Sequence, residues 1–197
     1  MSRTVHQVLI LAAVLSAAPS QAGEWHVDTE QDRRVEFTST VVGYSFSGTN
    51  NDIDGFLYWE GDELFERDGQ VYFEVDLRTL DTGIAKRDRD MRDVLDARQW
   101  PRATYAGEVL EVVEDTSGVG HMVRTQGPFT LKGVEQEMEI VGWVRPEGDQ
   151  LSVESEFTVR LSDHEIEAPG LVAFVRVSDK VVVRVQMHMR AASKEEQ

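Results

Sequence analysis

Between Asp81 and Asp93 the chain interleaves Lys86, Arg87, Arg89 and Arg92 with Asp81, Asp88, Asp90 and Asp93. A guanidinium group holds a phosphate or carbonyl oxygen with forked donors, so Arg87 or Arg89 at the mouth of a cavity could grip a polar head group. The same residues also suit a solvated helix laced with local ion pairs, each worth little. Taken alone, the residues leave both readings open. Other reactive types lack a productive arrangement. His6, His26, His121, His164 and His188 are scattered without metal-ligand spacing. Gly43-Tyr44-Ser45-Phe46-Ser47-Gly48 approaches a nucleophile elbow but misses its G-x-S-x-G spacing and its strand–turn–helix frame. Among 36 acidic residues, any two carboxylates can be imagined as acid and base, so such a pair is uninformative. Walker and dinucleotide glycine patterns are absent from the sequence. The expectation is a protein without catalytic residues, metal or cofactor.

The elements that must position Arg87 are mostly strands. Val71, Phe73, Val75 and Leu77 alternate with Tyr72, Glu74, Asp76 and Arg78. Leu151, Val153, Phe157, Val159 and Leu161 do the same against Ser152, Glu154, Glu156, Thr158 and Arg160. Val181, Val183, Val185, Met187 and Met189 make a third such run. Period two with one wet face predicts half-buried antiparallel strands. Shorter runs lie at 24–28, 33–38, 53–59, 104–113, 119–131 and 137–144. Turn residues at Arg67-Asp68-Gly69, Asp115-Thr116-Ser117-Gly118, Pro146-Glu147-Gly148-Asp149 and Val177-Ser178-Asp179-Lys180 are expected to separate them. The segment 83–98 is different. Ile84, Met91, Val94 and Leu95 fall near one helical face, Asp81 and Thr82 can cap its start, and Pro101 follows its end. Eight or so short-turn strands with one helix predict an all-β fold: a closed or nearly closed antiparallel barrel, with the short charged helix near one end. A membrane barrel is disfavoured, because its outward positions would put Glu, Asp, Arg and Gln in lipid.

With 197 residues, 41% of them hydrophobic, the chain can build one domain with a core. Its formal charge of −16 is the wrong sign for nucleic acid or for general attraction to an anionic membrane. The absence of Cys excludes thiol catalysis, disulfides and Cys-based zinc sites. Residues 1–22 have the layout of a secretory signal: Arg3, then the apolar run Val8–Leu15, then small residues ending Ser20-Gln21-Ala22. Cleavage after Ala22 would leave 19 basic against 36 acidic residues, a charge of −17, and no transmembrane segment. The expected layout is a signal peptide at 1–22, a barrel domain at 23–192 and a solvated tail at 193–197. The expected location is a bacterial periplasm, with full secretion left open by the sequence.

Four ordered blocks carry a resemblance. They are Trp25-His26-Val27-Asp28; Val75-Asp76-Leu77-Arg78-Thr79-Leu80-Asp81-Thr82-Gly83 with Arg87-Asp88 and Met91-Arg92; Trp100-Pro101-Arg102-Ala103-Thr104-Tyr105; and Gly127-Pro128-Phe129-Thr130-Leu131-Lys132-Gly133-Val134. Together they resemble the YceI-like family of exported bacterial lipid-binding proteins. Late in the chain, Leu161-Ser162-Asp163-His164-Glu165-Ile166 keeps the family's Ser-Asp and Ile but lacks its Arg and Gly. The resemblance implies a lipocalin-like eight-stranded antiparallel barrel with an elongated apolar pocket. It further implies a polyisoprenoid ligand carrying a pyrophosphate or quinone head, and a binding protein rather than an enzyme.

Two functions are carried forward. The first is an exported carrier or sequestering protein for an isoprenoid lipid, such as a polyprenyl phosphate or isoprenoid quinone. Its apolar contacts would come from Phe73, Val75, Phe157, Val159, Val183 and Val185, with Phe46, Phe56 and Trp143; its head-group contacts would come from Arg87 with Asp88. Burying a prenyl unit removes on the order of 100 Å² of apolar surface, worth roughly 2.5 kcal/mol at about 25 cal/mol per Å². The second is a solidly packed barrel whose acidic surface recognises a basic partner. Interior volume separates the two. The sequence does not specify an oligomeric state.

Overall fold

The alternating runs are realised as strands of one continuous sheet. The structure, a computed structural model, describes residues 22–41, 44–61, 64–116, 120–167, 170–172 and 175–192. The expected signal segment, apart from Ala22, and the expected tail lie outside the described residues. The strands are β1 (Ala22–Val27), β2 (Arg34–Val41), β3 (Tyr44–Asn50), β4 (Ile53–Glu60), β5 (Arg67–Asp76), β6 (Arg102–Glu114), β7 (His121–Leu131), β8 (Val134–Glu147), β9 (Gln150–Arg160), β10 (Gly170–Val172) and β11 (Val175–Ala191). The helix, α1 (Ala85–Val94), sits between β5 and β6.

These strands form eight staves of a closed antiparallel barrel. β1 and β2 are two halves of one stave, and β3 and β4 of the next. In register, Trp25 faces Leu57 and Val35 faces Asn50, so the first half-stave pair carries three more residues than the second between those points. The excess is looped out at 28–33, where the buried Asp28 carboxylate accepts the Glu30 N–H at 3.0 Å and the Gln150 amide at 2.9 Å. The ladder then runs through β5, β6, β7, β8 and β9 to β11. β11 closes the ring by pairing with both β1 and β2 on its free edge.

One end of the barrel is shut by side chains. Trp25 and Trp59 stack with centroids 6.4 Å apart, and Phe65 lies 5.2 Å from Trp59. Met189 and Leu151 are buried near the same end. The other end holds the C-terminal end of β2, the N-terminal end of β3, α1, the β7–β8 turn and the 3-10 turn after β9. Here the wall opens at two seams. β3 is laddered to β2 but not to β5; Thr49 instead exchanges two backbone hydrogen bonds with Asp81, ahead of α1. β8 pairs with β9 over Gly142–Glu147, whereas no further β8–β9 pairing occurs among the described residues of 134–141. At that fork Ser155 Oγ–H donates to the Val141 carbonyl at 2.7 Å. A short 3-10 turn, Leu161–His164, bridges the gap above it. Gln136 donates to the Asp163 carbonyl at 2.8 Å, and the His164 Nδ1–H donates to the Val134 carbonyl at 3.0 Å.

Tyr44–Asn50, outside the strand runs read from the sequence, is strand β3. Three local expectations are corrected. Val177–Lys180 does not end a strand, since β11 runs through it with a register shift between Val177 and Val181. The turn-forming residues are used sideways: Asp179 accepts the N–H and O–H of Ser162 at 2.8 and 2.9 Å. Arg67-Asp68-Gly69 likewise opens β5 rather than preceding it, with Asp68 at a positive φ of 47°. The helix is also shorter than 83–98. Asp81 caps the Gly83 N–H at 2.7 Å instead of the first turn, whose N-cap is Ile84.

Pro128 sits inside β7, where it cannot donate to the ladder. Its neighbour Gly127 lets the Ala106 carbonyl of β6 come close: a Cβ there would lie 2.0 Å from that oxygen. Gly127→Ala is therefore expected to destabilise the barrel by about 2 kcal/mol or more in urea unfolding, because backbone rather than a flexible side chain must move. An unchanged midpoint would refute this account of the β6–β7 contact.

Candidate ligand-binding site

The barrel is not packed solid. Its interior holds a cavity of about 730 Å³, within the range of ligand-sized sites. The reason lies in the inward residues. Gly142, Ser155 and Ala103 face the lumen where larger side chains would fill it. The alternative of a solidly packed barrel is thus met by a void, and the surrounding wall is mainly Val, Leu, Ile and Phe.

Phe73 and Val75 of β5 and Phe157 and Val159 of β9 line this cavity. So do Val183 and Val185 of β11, and Phe46 of β3. Phe56 and Trp143 do not, and the phase of their strands explains why. In β4 the inward positions are Ile53, Gly55 and Leu57, so Phe56 points outward. It packs there between His26, 6.3 Å away, and Tyr72, 5.7 Å away. In β8 the inward positions are Ile140, Gly142 and Val144, and Trp143 is 38% exposed on the outer face. Runs of adjacent apolar residues, Phe56-Leu57-Tyr58-Trp59 and Val141-Gly142-Trp143-Val144, conceal this phase in the sequence.

At the mouth, α1 turns Ile84, Met91, Val94 and Leu95 to the cavity, together with Lys86, Arg87 and Asp90. Arg87 lies over Phe46, its guanidinium carbon 4.9 Å from the ring centroid, a cation–π contact. Its Nε–H donates to Thr82 Oγ1 at 2.8 Å, and one Nη donates to the Thr82 carbonyl at 2.9 Å. The other Nη has no hydrogen-bond partner among the described residues. Lys86 is paired with Asp90 along the helix.

Asp88 plays a different part from the head-group contact expected of it. One residue along a helix is a rotation of about 100°, so Arg87 and Asp88 cannot face the same way. Asp88 is buried, outside the cavity lining, and its Oδ1 accepts both the N–H of Thr82, at 2.8 Å, and the Thr82 hydroxyl. The Asp88–Thr82–Arg87 chain of hydrogen bonds fixes the guanidinium over the mouth. Burial pushes the Asp88 pKa up. The Thr82 hydrogen bonds, aided by Arg92 and Arg87, outweigh this and hold it below the usual aspartate value.

Several lining residues fall outside the sequence expectation. Tyr44 and Ile84 stand at the mouth, 56% and 52% exposed. Tyr105, Thr125 and Ser39 bring hydroxyls to the wall. Thr125 donates to the Ile140 carbonyl at 3.0 Å and accepts from the Tyr105 hydroxyl at 2.8 Å. The run read as 33–38 in sequence continues in structure as Val35, Phe37, Ser39 and Val41, all buried. Carrying the alternation two positions further would have found Ser39.

The family model described as a YceI-like domain matches residues 25–189. A UPF0312 protein of Vibrio parahaemolyticus is 29% identical over 178 residues, covering 83% of this chain and 89% of its own. A UPF0312 protein of Vibrio cholerae is 27% identical over 185 residues, covering 89% and 94%. Among solved structures, a polyisoprenoid binding domain from Saccharophagus degradans superposes with a TM-score of 0.67 at 19% identity, over 85% of this chain and 98% of that one. BcnA of Burkholderia cenocepacia gives 0.65 at 16% identity, over 82% and 98%. At these identities the structural likeness concerns the fold.

Asp88→Ala leaves the Thr82 donors without an acceptor. It is expected to lower stability by about 2 kcal/mol at neutral pH, read by urea denaturation. Because the folded pKa is depressed, this stabilisation is present above the ordinary aspartate pKa and is lost as pH falls through the folded value. The gap between wild type and variant should therefore shrink on acidification below the usual aspartate range. A gap that stays constant with pH would refute the charge-based role.

Proposed function

Since the chain belongs to the YceI-like domain family, we propose that it binds an isoprenoid lipid, a polyprenyl phosphate or an isoprenoid quinone, within its barrel. The observation that carries this reading is the 730 Å³ cavity with its apolar wall and the polar side chains that α1 brings to its mouth. The apolar tail lies against Phe73, Val75, Phe157, Val159, Val183 and Val185, and Phe46 together with Arg87 receives the head. The description of the Saccharophagus degradans neighbour as polyisoprenoid binding supports the tail chemistry. The protein acts by enclosing its ligand, as a carrier or a sequestering protein, and carries out no reaction on it. The signal layout of residues 1–22 supports export to the periplasm.

Native followed by denaturing mass spectrometry of protein expressed with its N-terminus intact tests both parts. The expected result is a mature mass beginning at Gly23 and a stoichiometric apolar adduct released on denaturation. Protein that is empty, and that also fails to take up added quinone or polyprenyl phosphate, would overturn the lipid reading. Retention of Met1 in the exported fraction would overturn the signal. Arg87→Ala should weaken retention by about tenfold while costing no more than about 1–2 kcal/mol of stability, because Arg87 contributes only side-chain contacts, to Thr82 and Phe46, at the mouth. Unchanged retention would remove Arg87 from the head-group site.

A further inference from the structure

Three of the hydroxyls that line the cavity are answered by the wall itself: Tyr105, Thr125 and Ser155 donate within it. Ser39 is not. It is only 4% exposed, it lines the cavity, and its Oγ has no hydrogen-bond partner among the described residues. A buried hydroxyl left unpaired is unfavourable, so its presence on the otherwise apolar inward face of β2, with Val35, Phe37 and Val41, calls for a partner from outside the chain. Its position says where that partner would sit. Ser39 is directly opposite Phe46 across the β2–β3 ladder. Phe46 is the ring over which Arg87 is stacked. The unpaired Oγ and the guanidinium with one unused Nη therefore flank the same phenyl ring.

The charges around that ring limit what it can take. Arg87 is coupled through Thr82 to the buried Asp88, and Lys86 is paired with Asp90, which also lines the mouth. Asp88, which Arg92 also faces, and Asp90 thus offset much of the positive charge beside the ring. A diphosphate would be stripped of water against a site with little net positive charge, an unfavourable transfer for a group with several negative charges. An uncharged oxygen asks only for one or two donors.

Resting on the lipid-binding reading, we infer that Ser39 and Arg87 form a two-sided polar seat for an uncharged oxygen-bearing head group. The class is a carbonyl or hydroxyl on a prenyl chain, not a prenyl diphosphate. Ser39 is a specificity-determining residue of that seat.

The test compares four probes with one shared tail: a geranylgeranyl-bearing naphthoquinone, geranylgeraniol, geranylgeranyl diphosphate and the corresponding tetraprenyl hydrocarbon with its double bonds intact. Binding to the mature protein and to Ser39→Ala is read by quenching of tryptophan fluorescence. The quinone should bind at least about tenfold more tightly than the diphosphate. Ser39→Ala should weaken the quinone and the alcohol by about fivefold and leave the hydrocarbon unchanged, the size expected for one neutral hydrogen bond. The ligand-free variant should melt at the same temperature or higher, since the change removes an unpaired buried hydroxyl; a merely structural serine would instead lower it. A diphosphate that binds as tightly as the quinone, or a loss shared equally by all four probes, would overturn the seat while leaving lipid binding intact. Failure of every probe to bind the wild type would overturn the lipid reading and the seat with it.

Discussion

β11 makes two ladders at once. Along Lys180–Arg190 it pairs with β9, and along its other edge it pairs with β2 and then β1. That second edge turns a curved antiparallel sheet into a ring, and the remaining features depend on the ring. Once it closes, alternation with period two no longer means one dry and one wet face of an open sheet. It means a lumen and an exterior. Val181, Val183, Val185 and Met187 all face the lumen because β11 is held on both sides for most of its length. A strand of this length survives its Val177–Lys180 irregularity because Asp179 is tied to Ser162 on the segment leaving β9.

The lumen and the ordinary core are then distinct regions. Aromatic stacking of Trp25, Trp59 and Phe65 fills one end. Small residues at Ala103, Gly142 and Ser155 keep the middle open. The other end is covered by a helix whose mean composition is strongly polar, but whose four apolar residues are spaced to lie over the opening. The charged segment that looked like the most reactive part of the sequence is thus both things at once. Most of its side chains are solvated, while Arg87 is drawn out of that set by Thr82, Asp88 and Phe46. Position in the fold, not composition, separates Arg87 from Arg89.

How much of this was legible follows the strength of the period-two signal. The runs at 71–77, 151–161 and 181–189 alternate cleanly, and their inward residues are where the phase puts them. β3 was unreadable as a strand because Ser45, Ser47 and Gly48 have weak strand preference and its large inward-phase residues are only Tyr44 and Phe46. Phe56 and Trp143 were misplaced because their neighbours are apolar on both sides, which erases the phase. Asp88 was grouped with Arg87 by adjacency in sequence, although helical geometry sends the two side chains to different surroundings. The orphaned hydroxyl of Ser39 could not be read at all without the strand partner that places it beside Phe46.

The fork between β8 and β9 has another side to it. Where β8 leaves β9, its stretch from Val134 to Val141 has no strand partner on that side among the described residues, and only its ends are met there, the Val134 carbonyl by His164 and the Val141 carbonyl by Ser155. Such a border invites a strand from a second chain. Glu135, Glu137 and Glu139 are exposed along this stretch. Two copies approaching edge to edge would bring these three carboxylates against three more. Like charges facing one another would oppose such a pairing, so the same stretch that lacks a strand neighbour also carries the charge that disfavours one from a second copy.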